Sequence, residues 1–195
     1  MDTLALYRQA QDGFDAVLTA VPAERWEARS TCPEWSVRDL AGHAVWGQHQ
    51  LRAWATGEDY ADRSGAPGSP HPAPIAGDDP LTSWRTARTA CLAALTPEAL
   101  ARTTTIPGLG EVPVAAVVSL LTTDLVAHAW DIGHALGADV RLDPATVAAA
   151  FDWARAHAVR APGFFGPELT PPPGSDDQTR MLAFLGRAAW EPVAA

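Results

Sequence analysis

Apolar residues recur every three or four positions along most of the chain, and the longest such stretch lies between Pro113 and Gly137. This spacing places apolar side chains on one face of an α-helix. The face comprises Val114, Val117, Val118, Leu121, Leu125, Ile132 and Leu136. We therefore predict a long central helix over residues 113–136, which Gly137 ends.

The same period, bounded by residues that cap or stop helices, predicts further helices on either side. The clearest start is Ser36, an N-cap with Asp39 at the third helical position, and Gly57 marks the end of that helix. Proline in the first turn marks two other starts, at Pro80 and Pro144. The predicted helices cover roughly residues 3–21, 36–57, 79–95, 143–159 and 177–187.

Three segments lack this period. Residues 58–79 contain four prolines between positions 67 and 74 and predict a long loop, either mobile or acting as a lid. Residues 103–112 predict a small extended hairpin or turn, and residues 162–175 are again rich in proline and glycine. The pattern predicts an all-α bundle in a single domain over residues 1–195, with about 162–195 a C-terminal appendage packed on it.

Composition narrows the range of functions. The chain has 195 residues, a formal charge of -9 and 47% hydrophobic residues, so nucleic acid and anionic membranes are poor partners. All 14 basic residues are arginine, which excludes a lysine nucleophile or Schiff base. Two cysteines, Cys32 and Cys91, are too few for a disulfide framework. We see no signal peptide and no apolar run of about 20 residues, so we expect a cytoplasmic protein.

The central helix carries three side chains with chemistry in one short stretch. Asp124 and His128 are four residues apart and share a helix face, and Asp131 follows near that face. A carboxylate and an imidazole directed into a bundle need a partner, because an unpaired buried charge is costly. A divalent metal ion and a plain Asp–His hydrogen bond are both compatible with this pattern. Of the six histidines, His43 on the second helix is the best third ligand, since it lies on an apolar face.

Two motifs and a short C-terminal sequence resemble a known family. They are Thr31-Cys32-Pro33-Glu34-Trp35-Ser36-Val37-Arg38-Asp39-Leu40-Ala41-Gly42-His43, Thr122-Thr123-Asp124-Leu125-Val126-Ala127-His128-Ala129-Trp130-Asp131 and Phe184-Leu185-Gly186-Arg187. The chain resembles the DinB/YfiT-like superfamily, and within it the mycothiol-dependent maleylpyruvate isomerase N-terminal-like, metal-binding proteins of actinobacteria. The resemblance implies a four-helix bundle in which His43, Asp124 and His128 bind a divalent ion, zinc first, with nickel or iron as alternatives.

Several neighbouring residues are candidates for the surroundings of this ion. Asp131 either accepts the second ring proton of a ligand histidine or pairs with an arginine or a helix N-terminus. Trp35, Trp46 and Trp130 either wall a pocket or fill the core. Arg38 either steers an anionic substrate or is solvated. Cys32 either lines the pocket or is an inert thiol.

The resemblance implies a thiol-dependent transferase or isomerase that uses mycothiol or a similar low-molecular-weight thiol. A thiolate or water activated by the metal would attack a small electrophilic molecule. The isomerase itself has glutamate at the position of Asp124 and a separate C-terminal domain, which argues against maleylpyruvate as the substrate here. Two alternatives stay open: a non-catalytic metal-binding or stress-linked protein, and a homodimeric bundle that binds a hydrophobic ligand without metal.

Overall fold

Helices account for most of the regular structure in the computed structural model, which describes residues 2–33, 35–106, 110–160 and 164–191. The helices in this part of the chain are α1 (Thr3–Thr19), α2 (Val37–Thr56), α3 (Pro80–Ala94), α4 (Pro97–Ala101), α5 (Val114–Ala135), α6 (Pro144–His157) and α7 (Asp177–Phe184). Two short strands, β1 (Thr103–Ile106) and β2 (Gly110–Pro113), pair antiparallel just before α5. The predicted all-α fold with one small hairpin is confirmed; its turn, residues 107–109, lies outside the described residues.

The predicted central helix is the centre of the core. Helix α5 packs against α1 and α2, while α3 packs against both of those helices, so four helices enclose one apolar interior. Along α5 the side chains of Val118, Leu125 and Ile132 are fully or almost fully buried. Helix α6 covers another side of α5, and α7 packs on α6. By length and composition α5 could span a membrane, but 72% of its most apolar window is buried, as in the core helix of a water-soluble bundle.

Helix α2 begins and ends as its sequence predicts. Ser36 accepts from the backbone N–H of Asp39, and the Asp39 carboxylate accepts from the backbone N–H of Ser36, which completes a capping box. Gly57 adopts a left-handed conformation, with φ of 79°, that ends the helix. These caps fix where α2 starts, and with it the position of His43 along the bundle.

Residues 58–79, predicted as a long loop, form a strap over α2. The indole N–H of Trp46 donates to the Asp62 carbonyl at 2.8 Å, and that of Trp35 donates to the Ser69 carbonyl at 2.9 Å. The strap contains one 3-10 turn, Ala73–Ala76, whose first N–H donates to the Asp39 carboxylate. The strap is therefore hydrogen-bonded at several points to α2 and to Trp35, which lies just before α2.

The structure differs most clearly from the sequence prediction at two places. Pro97, which follows the predicted third helix, begins a separate helix that was not predicted, α4, because Thr96 accepts from the backbone N–H of Ala99 and caps it. The last helix, predicted to reach Arg187, ends at Phe184, and Gly186 turns the chain with φ of 85°. This turn brings Arg187 back toward α5.

Candidate metal centre

Helices α2 and α5 bring three predicted residues to one point. The Nε2 atom of His43 lies 3.4 Å from Asp124 Oδ2, and the Nε2 atom of His128 lies 3.3 Å from Asp124 Oδ1. All three ligand atoms lie within 4.8 Å of one another. The two imidazoles are buried, whereas the Asp124 side chain keeps 19% of its surface exposed. One carboxylate thus faces two ring nitrogens, and solvent reaches it.

The other ring nitrogen of each histidine is already bound. His43 Nδ1 lies 2.6 Å from the Gly65 carbonyl in the strap, and His128 Nδ1 lies 2.9 Å from Asp131 Oδ2. A carbonyl and a carboxylate accept hydrogen bonds, so each Nδ1 must carry the proton. In a neutral imidazole this leaves a lone pair on Nε2, which is the arrangement of metal-binding histidines.

The donor set and its spacing fit a divalent cation. If both imidazoles are neutral, the lone pairs of their Nε2 atoms face the lone pairs of the Asp124 oxygens and repel them. Either a cation between these atoms or a proton on Nε2 must compensate this repulsion. Two ligands at about 2.1 Å from an ion in tetrahedral geometry lie about 3.4 Å apart. The observed separations of 3.3 and 3.4 Å, each to a different oxygen of Asp124, are close to this value and longer than the usual hydrogen-bond distance of about 2.9 Å.

Asp124 and His128 each stabilise the charged form of the other. Burial alone would raise the pKa of Asp124, but His128 and His43 outweigh it and hold that pKa far below its usual range. Burial lowers the pKa of His128, yet the Asp124 and Asp131 carboxylates raise it well above its usual value. A proton on His128 and a cation at Nε2 are therefore competing ways to satisfy the same carboxylate.

Asp131 combines the two roles considered for it. Its Oδ2 atom accepts from His128 Nδ1, and the Arg187 guanidinium binds both carboxylate oxygens, at 3.0 and 2.7 Å. The Thr31 hydroxyl also donates to Oδ1. Burial raises the pKa of this fully buried carboxyl, but Arg187 and His128 reverse the effect and keep it ionised.

Cys32 lies beside this network without the features of a nucleophile. Its Sγ atom is 3.4 Å from Asp131 Oδ2 and 3.9 Å from His128 Nδ1. Burial and the Asp131 carboxylate raise the pKa of the thiol, so it stays protonated near neutral pH. Cys32, His128 and Asp131 form a second group of potential ligands, but Arg187 already neutralises its carboxylate. The first group is the better cation site.

Two of the three tryptophans predicted near the site lie beside its histidines. The Trp35 ring is 5.0 Å from the His43 ring and 6.2 Å from the His128 ring, and Trp46 stacks on His43 at 6.1 Å. Trp130 instead stacks on His134, on another face of α5. Two indoles therefore form an aromatic edge to the site and exclude water from the imidazoles.

Arg38 is placed away from this group. Its guanidinium pairs with Glu27 at 2.7 Å and donates to the Gly77 carbonyl, in a shallow depression at the start of α2. The residue lies five positions before His43, which on a helix is a different face. Its contacts within the described chain give no support for a role in steering a substrate to the three ligands.

A groove in the described residues also lies elsewhere. It has a volume of about 480 Å³ and runs between α1, α5 and the start of α6. Its walls are apolar, with Ala10, Val17, Val126 and Val140 among the lining residues, and it contains none of the three ligands. Its size alone does not make it the functional site, because the chemistry is concentrated at Asp124.

Comparison with known proteins identifies the family of the chain. The sequence profile described as "Mycothiol maleylpyruvate isomerase N-terminal domain" matches residues 7–133, more than half of the chain. The chain belongs to this family. Its members in actinobacteria are DinB-like, so the predicted family is confirmed. The matched range contains all three ligand candidates and Asp131, whereas Arg187 lies beyond it.

Two relatives extend the similarity over nearly the whole chain. They are uncharacterized proteins of Mycobacterium tuberculosis, one from strain CDC 1551 / Oshkosh and one from strain ATCC 25618 / H37Rv. Each is 32% identical over 194 residues, which covers 96% of this chain and 98% of the relative. No solved structure matches the chain. The family links the chain to mycothiol chemistry, and the relatives add no activity.

Two contributors to the site were not predicted. The Gly65 carbonyl that binds His43 is a backbone group in a proline-rich segment, so no side-chain pattern marks it. Arg187 belongs to the C-terminal sequence Phe184–Arg187 that the family resemblance includes, but nothing in its spacing connects it with Asp131. The only signal in the sequence was Asp131 itself, because a buried carboxylate on α5 needs a partner such as an arginine.

Proposed function

We propose that the protein is a divalent-metal-dependent enzyme that uses a low-molecular-weight thiol of the mycothiol type to transfer or isomerise a small electrophilic molecule. His43, Asp124 and His128 hold the ion, with zinc the first expectation and nickel or iron the alternatives. A bound ion would supply a Lewis acid that makes a thiol or water nucleophilic near neutral pH. We expect the protein to act in the cytoplasm, where such thiols are found.

One observation carries the proposal. Both Nδ1 atoms are bound to acceptors, so both Nε2 lone pairs face the Asp124 carboxylate at metal-like separations. A plain Asp–His hydrogen bond, the alternative from the sequence, requires a second ring proton on each histidine that forms one, because Nδ1 already carries a proton. A cation satisfies all three groups together.

The residues around the ligands have separate roles in this proposal. Asp131 holds His128 in the tautomer that offers Nε2, and the strap does the same for His43 through Gly65. The Trp35 and Trp46 rings cover the imidazoles and lower the local dielectric, which strengthens the attraction of the site for an anionic thiolate.

An enzyme is favoured over a storage or regulatory site by the exposure of Asp124. Three protein ligands leave a coordination position for a substrate, which is typical of catalytic metal sites and not of closed structural ones. The 19% exposed carboxylate marks a side from which a small molecule can approach. A non-catalytic metal-binding protein with the same three ligands is the second candidate, supported by the high burial of both imidazoles.

The metal assignment is tested by elemental analysis of protein purified without a His-tag. We expect about one divalent ion per chain in the native protein and a large loss in His43→Ala. His49→Ala is the matched control, because His49 lies on the same helix and its ring contacts Tyr60. Equal metal content in His43→Ala and His49→Ala would refute the assignment.

The enzymatic claim needs an assay with a thiol present. Mycothiol, bacillithiol and cysteine are each incubated with an aryl halide, an epoxide and an α,β-unsaturated acid. Loss of free thiol reports transfer, and a change in the ultraviolet spectrum of the acid reports isomerisation. We expect turnover that requires both the thiol and the metal and that disappears in Asp124→Asn. Metal binding without turnover for any pair would favour the non-catalytic candidate.

A further inference from the structure

Arg187 reaches the candidate metal centre from the far end of the chain. The turn after α7 directs its side chain inward, where only 13% of it stays exposed. The guanidinium binds Asp131 as a fork, with Nε 3.0 Å from Oδ1 and Nη2 2.7 Å from Oδ2. This bidentate geometry fixes the plane of the carboxylate and not only its position.

The fixed carboxylate in turn orients a proposed metal ligand. Asp131 Oδ2 accepts from His128 Nδ1 at 2.9 Å, and the opposite ring nitrogen lies 3.3 Å from Asp124. Rotation of the carboxylate would therefore rotate the imidazole and move Nε2 off the common point. The contacts form a continuous line from Arg187 through Asp131 to His128.

We propose that Arg187 is a positioning residue of the metal centre, which holds His128 on target through Asp131. The inference rests on the proposed function. It assigns part of the site to the segment after α7, beyond residues 7–133 that match the family profile. The C-terminal appendage predicted from the sequence is on this view a component of the site and not only a cover for the bundle.

The local packing supports a role beyond attachment of the C-terminal segment. Arg160, three residues after α6, donates to the Phe184 carbonyl at 2.9 Å and to the Gly166 carbonyl. The Gln178 side chain on α7 donates to the Val140 carbonyl, in the connection between α5 and α6, at 2.8 Å. The segment is thus attached to the bundle by contacts that involve neither Arg187 nor Asp131.

Arg160 also provides a matched control. Both arginines connect the C-terminal segment to the rest of the chain, but only Arg187 contacts Asp131. We compare Arg187→Gln, Arg187→Lys and Arg160→Gln with the native protein. Each variant is loaded with Co²⁺ after metal removal, and its affinity is measured by competition with a chelator while visible absorption reports the ligand geometry.

We expect Arg187→Gln to weaken Co²⁺ binding by about 10-fold, the scale on which outer-shell partners act, and to alter the visible spectrum. Arg187→Lys restores the charge without the fork, so its affinity and spectrum should lie between those of Arg187→Gln and the native protein. Arg160→Gln should keep the native affinity and spectrum even if its thermal stability falls.

Three results would overturn the inference. Native affinity and spectrum in both Arg187 variants would show that the ion pair is structural only. An equal loss of affinity in Arg160→Gln would assign the effect to loosening of the segment. If Arg187→Gln does not fold, native-like behaviour of Arg187→Lys would contradict the need for a bidentate contact. Absence of Co²⁺ binding in the native protein would instead refute the proposed function itself.

Discussion

At the scale of single residues, the site divides into parts that follow from local sequence and parts that do not. Helical periodicity alone brings Asp124, His128 and Asp131 together, so their spacing of four and three residues is enough to predict that they lie side by side. His43 depends on how two helices pack, so its place on an apolar face made it only the best candidate, which the family motif then supported. Arg187 depends on the path of a distant segment, which periodicity does not encode.

The coupling between Asp124 and His128 predicts how stability depends on pH. The lowered pKa of Asp124 adds stability above its usual pKa of about 4, and this is lost as pH falls through its folded value. The raised pKa of His128 adds stability below about pH 6.5, and this is lost as pH rises through its folded value. Without metal, both contributions are therefore complete between about pH 4 and 6.5.

A divalent ion should reverse this trend above pH 6.5, because it competes with the proton for Nε2 of His128. We expect zinc to raise the free energy of unfolding more at pH 8 than at pH 5.5. Denaturant titrations with zinc and with a chelator at both pH values measure this difference. Asp124→Asn is the control and should respond weakly at both. A larger zinc effect at pH 5.5 would contradict competition at this histidine.

At the scale of elements, helices with clear caps were predictable and the irregular segments were not. Ser36 and Gly57 bound α2 as predicted, because capping is a local interaction between neighbouring residues. Residues 58–79 were predicted only as a loop, since their order comes from hydrogen bonds to indoles and a carboxylate on distant residues. Helix α4 was missed because Pro97 both follows one helix and begins the next.

The strap predicts a second point of control over His43. An added Cβ at Gly65 would lie 2.6 Å from Trp46 Cγ and 2.8 Å from Ile75 Cδ1, so the strap or the indole must move. We expect Gly65→Ala to cost about 1–3 kcal/mol of stability through overpacking and to weaken metal binding, because the Gly65 carbonyl would leave His43 Nδ1. Denaturant unfolding and Co²⁺ titration measure the two effects.

A glycine in open space provides the comparison for this variant. Gly13 on α1 has nothing within 4 Å of an added Cβ, so Gly13→Ala should be neutral or stabilising by about 0.5–1 kcal/mol with unchanged Co²⁺ affinity. If Gly65→Ala behaved like Gly13→Ala in both measurements, the strap would have no part in orienting His43.

At the scale of the whole molecule, the proposed ion connects elements that are far apart in sequence. His43 lies on α2, Asp124 and His128 lie on α5, and α5 packs against α1, α2, α4 and α6. Metal binding therefore requires the folded bundle, because the three ligands meet only when α2 and α5 are packed. Binding free energy at such a site adds to the stability of the entire domain.

This coupling predicts a thermal shift that depends on the ligands and not on histidine content. An ion present at 100 times its Kd stabilises the folded state by about 2.7 kcal/mol, which for a domain of this size corresponds to about 5–10 °C in Tm. We expect zinc to produce such a rise in the native protein and in His49→Ala, and a chelator to remove it. His43→Ala should show no rise, since it keeps the bundle but loses the ligand from α2. A similar rise in His43→Ala would mean that zinc stabilises the fold by binding at a different site. The ligand that α2 contributes would then not be needed for zinc binding.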